Sequence, residues 1–567
     1  MLVATVVLIE MVAVSKLHRR LLTVMMVAMT TILAFAASPE TARAADAGAI
    51  TIGGDVATQY DAYQLFSATV TDKAGSDQKV ATDLAWASDA ARQAVLPVLY
   101  DAGFDSSAST AQEAAEWLNA DGHMSTALAA RLACAICNAG AASVPLNAGM
   151  AAELPCGYWL IVADDDAIDQ GEAGTAPIMA LVGGGAVTVK PKAATPKVAK
   201  HVLEDSAAAW QKAADATVAD DLYWRLSATV PAGLTAYDTY TVRFVDTMSA
   251  GLDPSKVAAS MRVYVAAGAD GGFDAVSAGR DGRAGTEPAK GWTDITAQCA
   301  TKVAADGKTF TVRTGDLIAA LGGADAFTAG ARVVAVYNAP LSSACNHGIA
   351  KGNPNEVYLR YPRSPFADQS GDAGFTRTPS DDACAYTWDL ALTKRGSDGD
   401  KPLAGAVLSI ADDRGRTLAA DGTWDAEGKA AVTTGEDGRV TVSGVDSGKL
   451  EVRELKAPKG YTAFEGTRSV TVKAEGLDVD QVAAAKPKLT ITAESPLRAD
   501  SADGSTGSLE ASLINTPTGT PPSITTGGFM PSTGDMAMYA AAAAAVAGVA
   551  LIVVALLVKR GGGSHKE

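Results

Sequence analysis

Two sets of three residues stand out because each set puts a lysine, a carboxylic acid and an asparagine at the ends of apolar stripes. Side chains alternate between the two faces of a strand. In "WDLALTK", Trp388, Leu390, Leu392 and Lys394 therefore share one face; in "KLEVRE", Leu450, Val452 and Glu454 do; in "LEASLIN", Leu509, Ala511, Leu513 and Asn515 do. A second set has the same phase: Lys200 lies between Val198 and Val202, Asp246 follows Val242 and Phe244, and Asn355 leads Val357, Leu359 and Tyr361. A buried polar group is costly unless paired. Burial lowers the pKa of a lysine and raises that of a carboxylic acid. A neutral lysine amine can attack the side-chain carbon of asparagine while a protonated Glu or Asp polarises the amide oxygen and relays protons. Ammonia leaves and a Lys–Asn isopeptide bond remains, formed once per molecule in a core that holds the partners together. Asn353 and Lys197 are the rival acceptor and amine of the second set, both out of phase with the stripes.

The elements that must carry these residues are short alternating strands. The chain has 567 residues, enough for two to four domains, and a formal net charge of −17 that disfavours a nucleic-acid surface. Five histidines and six cysteines leave little material for a metal site, and no cofactor motif or Ser/His/Asp cluster emerges. Cys134, Cys137, Cys156, Cys299, Cys345 and Cys384 form an even set, which in an exported chain suggests disulfides of unspecified pairing. "YDAYQLFSATV" and "GYWLIVADDD" read as strands. "TAQEAAEWLNA" and "STALAARLACAICNAG" read as helices.

Both ends carry export signals. Lys16, Arg19 and Arg20 precede an apolar stretch from Leu21 to Ala37, and Ala42-Arg43-Ala44 fits a cleavage site, so residues 1–44 read as a signal peptide whose start is Met1 or Met11. Met536 to Val558 carries no charge and is long enough to cross a bilayer, with Lys559 and Arg560 behind it. The preceding Met530, Pro531, Ser532, Thr533 and Gly534 resemble the Leu-Pro-x-Thr-Gly sorting signal of Gram-positive surface proteins, with Met in place of Leu. The resemblance implies that a membrane sortase cuts between Thr533 and Gly534 and passes the Thr533 acyl group to an amine. Val187-Thr188-Val189-Lys190-Pro191-Lys192 puts Thr188, Lys190 and Lys192 on the side away from Val187 and Val189. "VKPK" resembles the pilin motif of backbone pilins, with Lys190 in place of a tyrosine. That resemblance makes Lys192 the acceptor for the next subunit.

Other stretches resemble domains of the same family of sortase-assembled backbone (major) pilins. "LYWRLSATVPAGLTAYDTYTVRFVDTMSAGLD" resembles a fimbrial isopeptide-formation domain, with "GNPNEVYLRYPRSP" as its last strand; "VRELKAPKGY" resembles the E-box of a CnaB-type sandwich. The expectation is a mainly β chain of tandem Ig-like β-sandwiches, with some helix in the N-terminal domain. Residues 1–44 are the signal peptide, 45–192 an N-terminal pilin domain, 193–382 the isopeptide-formation domain, 383–518 the CnaB-type sandwich and 519–567 the linker and sorting segment. The implied role is structural and not enzymatic: a wall-anchored fimbrial subunit at the cell surface. Its implied partners are sortase, copies of itself and peptidoglycan, with minor pilins and host surface ligands beyond them. The competing reading is a singly anchored surface adhesin or minor basal pilin that does not use Lys192.

Overall fold

The computed structural model describes residues 47–519, apart from 54–58, 74–77, 121, 169–170, 192–194, 233, 269–290 and 368. The fold is mainly β and divides into two compact units, Met1–Thr387 with Glu475–Pro487, and Trp388–Ala474 with Lys488–Glu567. The modules expected at 45–192 and 193–382 both fall within the first unit.

The N-terminal part of the first unit is built on Gln59–Asp72 and Gly157–Ala163, which pair antiparallel at the centre of a five-stranded sheet. Both faces of this sheet are buried. Leu65, Phe66, Leu160 and Val162 pack under helices, while Tyr60, Ala62, Trp159 and Ile161 pack against Ile50, Ile52 and Val189. The two expected helices form at Ala111–Asn119 and Thr126–Asn138; Thr110 and Glu113 make a reciprocal capping box, and Ser125 accepts from the Leu128 amide. A further helix at Asp89–Asp101, to which the sequence pattern assigns no element, starts at the Ser88 cap and carries Pro97 inside it. Its buried face (Ala91, Val95, Leu99) completes the core that the other two leave open. Val187–Val189 runs parallel to Ala47–Ile52 at the edge of a second, three-stranded sheet.

The rest of the first unit is a sandwich. One sheet has the order Ala209–Gln211, Val198–Glu204, Tyr223–Thr229, Arg332–Asn338, Arg262–Ala266, Trp292–Asp294. The other centres on Asn353–Pro362 and Arg243–Met248, paired antiparallel, with Thr309–Arg313 beyond. Trp224, Phe244, Phe310, Tyr337 and Leu359 lie fully buried between them, each such side chain contributing about 1.5–3 kcal/mol relative to exposure. Asn353–Pro362, expected as the last strand, is followed by Phe375–Arg377 and Asp381–Tyr386, both paired to it. "DDACAY" opens on two acids and is otherwise mostly small residues, so it lacks the apolar alternation that would mark a strand.

The second unit is another sandwich. Its first strand, Trp388–Gly396, lies between Arg439–Val445 and the last strand, Ser508–Pro517, and runs parallel to that last strand. The facing sheet contains Val407–Ala411, Gly448–Lys456 and Thr467–Glu475. Among the described residues no helix is long and apolar enough to cross a membrane. The signal peptide and the span from Met536 to Val558 lie outside the described residues.

Candidate functional site: two buried lysine–acid–asparagine contacts

In the first unit, Lys200 comes from one sheet and Asp246 and Asn355 from the other. The Lys200 backbone is held from both sides: its N–H donates to Asp381 Oδ2 at 2.7 Å, and its carbonyl accepts from Lys212 Nζ at 2.8 Å, with Lys212 in turn paired to Asp381. The side chain then enters the core between Trp224 and Tyr337, with Nζ 5.5 and 5.4 Å from the two ring centroids. Lys200, Asp246 and Asn355 are all fully buried. Lys200 Nζ contacts Asp246 Oδ2 directly and donates to Tyr337 Oη at 2.9 Å. Tyr337 Oη donates to Asp246 Oδ2 at 3.1 Å and accepts from Asn355 Nδ2 at 2.8 Å.

Burial pushes Lys200 down to about 8, against the opposing pull of Asp246. The same burial raises Asp246, with Lys200 and Tyr337 working against it. Both groups are therefore driven toward their neutral forms. Asp246 Oδ1 and Asn355 Oδ1 have no hydrogen-bond partner among the described residues. In a dry core such an orphan costs about 1–3 kcal/mol, which a proton on Asp246 aimed at the amide oxygen would relieve.

The second unit repeats the arrangement with different strands. Lys394 and Asn515 sit on the adjacent parallel first and last strands, with Gly396 opposite Asn515, and Glu454 reaches in from the facing sheet. Lys394 Nζ contacts Asn515 Oδ1 and lies 3.0 Å from Glu454 Oε1, which also accepts from Asn515 Nδ2 at 2.9 Å. The other carboxylate oxygen accepts from the Phe464 amide at 3.1 Å, which fixes the rotamer of Glu454. Burial lowers Lys394 to about 8, with Glu454 opposing. Its backbone is clamped by Gly438, whose carbonyl accepts from the Lys394 amide at 2.8 Å. Gly438 has φ +71°, and a Cβ there would stand 2.9 Å from the Lys394 carbonyl oxygen, so only glycine fits without a shift.

Both predicted trios are thus brought together in space. The rivals are not: Lys197 is exposed, and the amide of buried Asn353 is already bonded to the backbone of Asn346 and Ala385. Tyr337 was not legible as a site residue. At the end of "VVAVY" it reads as one more core side chain, and only its buried hydroxyl, which needs partners, hints otherwise. Lys190 is exposed just past its strand, as the alternation requires. Lys192 and the Met530, Pro531, Ser532, Thr533 and Gly534 motif lie outside the described residues. The disulfides suggested by the even cysteine count are absent, since no disulfide joins any of the six; Cys134 and Cys137 stand on one helix, and Cys156, Cys345 and Cys384 are buried separately within the first unit. Among the described residues no cluster of three His, Cys, Asp or Glu is disposed to hold a metal ion.

Residues 389–486 match the family described as SpaA, prealbumin-like fold domain. Over 129 residues the chain is 30% identical to the trypsin-resistant surface T6 protein of Streptococcus pyogenes serotype M6. That alignment spans 21% of this chain and 22% of the relative's own length. Similar solved structures include the T6 backbone pilin of serotype M6 Streptococcus pyogenes, 16% identical, covering 85% of this chain and 100% of that one with a TM-score of 0.47. Another is the full-length major pilin SpaD of Corynebacterium diphtheriae, 14% identical, covering 84% and 99% with a TM-score of 0.42.

Proposed function

We propose that this chain is the structural subunit of a covalently polymerised cell-surface pilus. Sortase cleaves it between Thr533 and Gly534, and the Thr533 acyl group passes to Lys192 of another copy or, at the base, to a wall peptide amine. Its modules are 45–192, 193–382 and 383–518, the last two closed by internal Lys200–Asn355 and Lys394–Asn515 bonds. The observation that carries the reading is the recurrence, in two separate sandwiches, of a fully buried lysine in contact with an acid, with a buried asparagine joined to the pair directly in the second unit and through the Tyr337 hydroxyl in the first. One such contact is a costly curiosity of a core; two with the same chemistry argue for a reaction.

The chemistry follows from the geometry. With the lysine neutral, the Nζ lone pair adds to the asparagine Cγ and the amide oxygen takes up charge, while the acid beside the amine serves the proton transfer. A proton moves from Nζ to Nδ2, the C–N bond to Nδ2 breaks, and ammonia leaves. The acid ends as it began, so each site turns over once and needs no cofactor. Pre-positioning in the folded core supplies the large effective concentration such a reaction needs.

The deciding experiment is the intact mass of the secreted ectodomain together with electrophoresis of wall extracts. Two bonds remove two molecules of ammonia, and polymerisation gives ladders that survive SDS. An unmodified mass would overturn the internal bonds. A single wall-linked band would instead favour the singly anchored surface adhesin or minor basal pilin.

A further inference from the structure

The two sites solve one problem in different ways. In the second unit a single oxygen, Glu454 Oε1, touches both nitrogens that exchange a proton, Lys394 Nζ at 3.0 Å and Asn515 Nδ2 at 2.9 Å. In the first unit the acid is one methylene shorter. Asp246 touches Lys200 Nζ, but the side-chain hydrogen bond of Asn355 runs to Tyr337 Oη instead. It is the Tyr337 hydroxyl that meets both nitrogens, Lys200 Nζ at 2.9 Å and Asn355 Nδ2 at 2.8 Å, while donating to Asp246 Oδ2 at 3.1 Å. A phenol has one proton and two lone pairs, and all three are used.

Resting on the isopeptide reading above, we propose that Tyr337 is a catalytic residue of the Lys200–Asn355 reaction, its hydroxyl carrying the proton from the attacking amine to the departing amide nitrogen. The amine adds to Cγ, forming the new C–N bond and pushing an electron pair onto Oδ1. Nζ then holds one proton too many. Tyr337 Oη accepts that proton as its own hydrogen, swung away from Asp246 by rotation about Cζ–Oη, passes to Nδ2. The carbonyl re-forms, the C–Nδ2 bond breaks, ammonia leaves and the phenol is restored. Burial and the Asp246 charge raise Tyr337 well above its ordinary value, which suits a group that relays a proton without resting as phenolate. The ring has a separate packing role, edge-on to Phe310 with centroids 4.8 Å apart, and phenylalanine would keep that role while deleting the relay.

The test is cell-free synthesis of the full chain, quenched in SDS at intervals, with each cross-linked peptide quantified by mass spectrometry after digestion. In Tyr337→Phe the Lys394–Asn515 bond should form at the wild-type rate. The Lys200–Asn355 bond should slow by roughly 100-fold, the low end of the 10²–10⁴ that general acid–base groups supply. Amide exchange protection of Val198–Glu204 and Arg332–Asn338 reports that the sandwich is folded. Equal Lys200–Asn355 rates in folded wild type and variant overturn the role of Tyr337. Absence of that bond from the wild type overturns the isopeptide reading itself. If Tyr337→Phe does not fold, 3,5-difluorotyrosine at 337 decides: it alters hydroxyl acidity at nearly constant shape, so a changed rate supports the relay and an unchanged rate overturns it.

Discussion

Glu454→Gln isolates the chemistry of the second unit from its packing. Glutamine keeps the shape of Glu454 and an oxygen for the Phe464 amide, which now bonds at 3.1 Å, but it cannot shuttle a proton between Lys394 and Asn515. The Lys394–Asn515 bond should fail to form, and the ectodomain should be heavier than wild type by about 16 Da: about 17 Da for the one ammonia that amine-for-amide displacement would have expelled, less about 1 Da because glutamine is lighter than glutamate. The partners are 121 residues apart in sequence. By the loop-entropy model for cross-links, opening a loop of that length costs about 5 kcal/mol. For a module of this size that corresponds to a fall in melting temperature of roughly 15–25 °C. Glu454→Ala should be worse still, since it also removes the oxygens that meet Lys394 Nζ, Asn515 Nδ2 and the Phe464 amide and leaves these buried groups unpaired, at about 1–3 kcal/mol for each orphaned group. Intact mass and a two-transition thermal melt read both quantities, and the transition of the first unit should not move. A Glu454→Gln chain that still shows the full wild-type mass deficit would refute the reasoning, because among the described residues no other acid pairs with that amine.

Asp246→Asn should abolish the Lys200–Asn355 bond alone, adding about 16 Da net by the same ammonia stoichiometry and the lighter asparagine and leaving the Lys394–Asn515 peptide cross-linked on tandem mass spectrometry. Bond formation at Lys394 should accelerate as pH rises toward its value of about 8 and then level off: below that value the amine is protonated, and each unit of pH costs about tenfold in nucleophile. Pulse–chase of cell-free product at stepped pH reads this, and a rate flat from pH 6 to 9 would contradict it. Lys192→Ala should leave both internal bonds intact but abolish SDS-resistant ladders on immunoblots of wall extracts, whereas Lys190→Ala should leave them unchanged. Loss of ladders only in the Lys190 variant would move the acceptor by two residues.

How the two trios came to be legible has a physical cause. Lys394, Glu454 and Asn515 each sit where strand alternation demands an apolar residue, and all three are indeed buried. A polar residue in apolar phase is conspicuous, so period-two reading finds it. Tyr337 escapes the same reading because its ring satisfies the pattern and only its hydroxyl departs from it. Alternation also says which face a residue takes but not which sheet its strand joins. That Lys200 and Tyr337 face Asp246 and Asn355 across the core is a tertiary fact with no local signature. The helix Asp89–Asp101 was masked by Pro97, a residue that usually ends a helix, and Asp381–Tyr386 by its acids and small residues. The even cysteine count misled because a cysteine serves packing as well as cross-linking: Cys156, Cys345 and Cys384 are buried, Cys137 and Cys299 partly so, and Cys134 is exposed on its helix.

The placement of the two proposed bonds within each sandwich decides what they would do under tension. In the second unit Lys394 and Asn515 lie near the C-terminal ends of two parallel neighbouring strands, the first and the last. With that bond closed, a pull entering at Trp388 crosses from Lys394 to Asn515 and leaves by Pro517. Every strand between carries no load, so the sandwich cannot lengthen by unfolding. In the first unit the bond meets the chain at Asn355, before Phe375–Arg377 and Asp381–Tyr386. Force leaving Asn355 must still pass through those strands, which are held by noncovalent contacts: backbone hydrogen bonds, the Lys212–Asp381 and Arg243–Asp372 pairs, and burial of Ala383 and Ala385 in the core. Backbone hydrogen bonds peel one after another when loaded from an end, whereas an amide bond does not yield. The segment following Asn355 is therefore the part of the first unit that a Lys200–Asn355 bond leaves under load, and the ties of Asp381 to the Lys200 amide and, through Lys212, to the Lys200 carbonyl are among the contacts that must break before it extends.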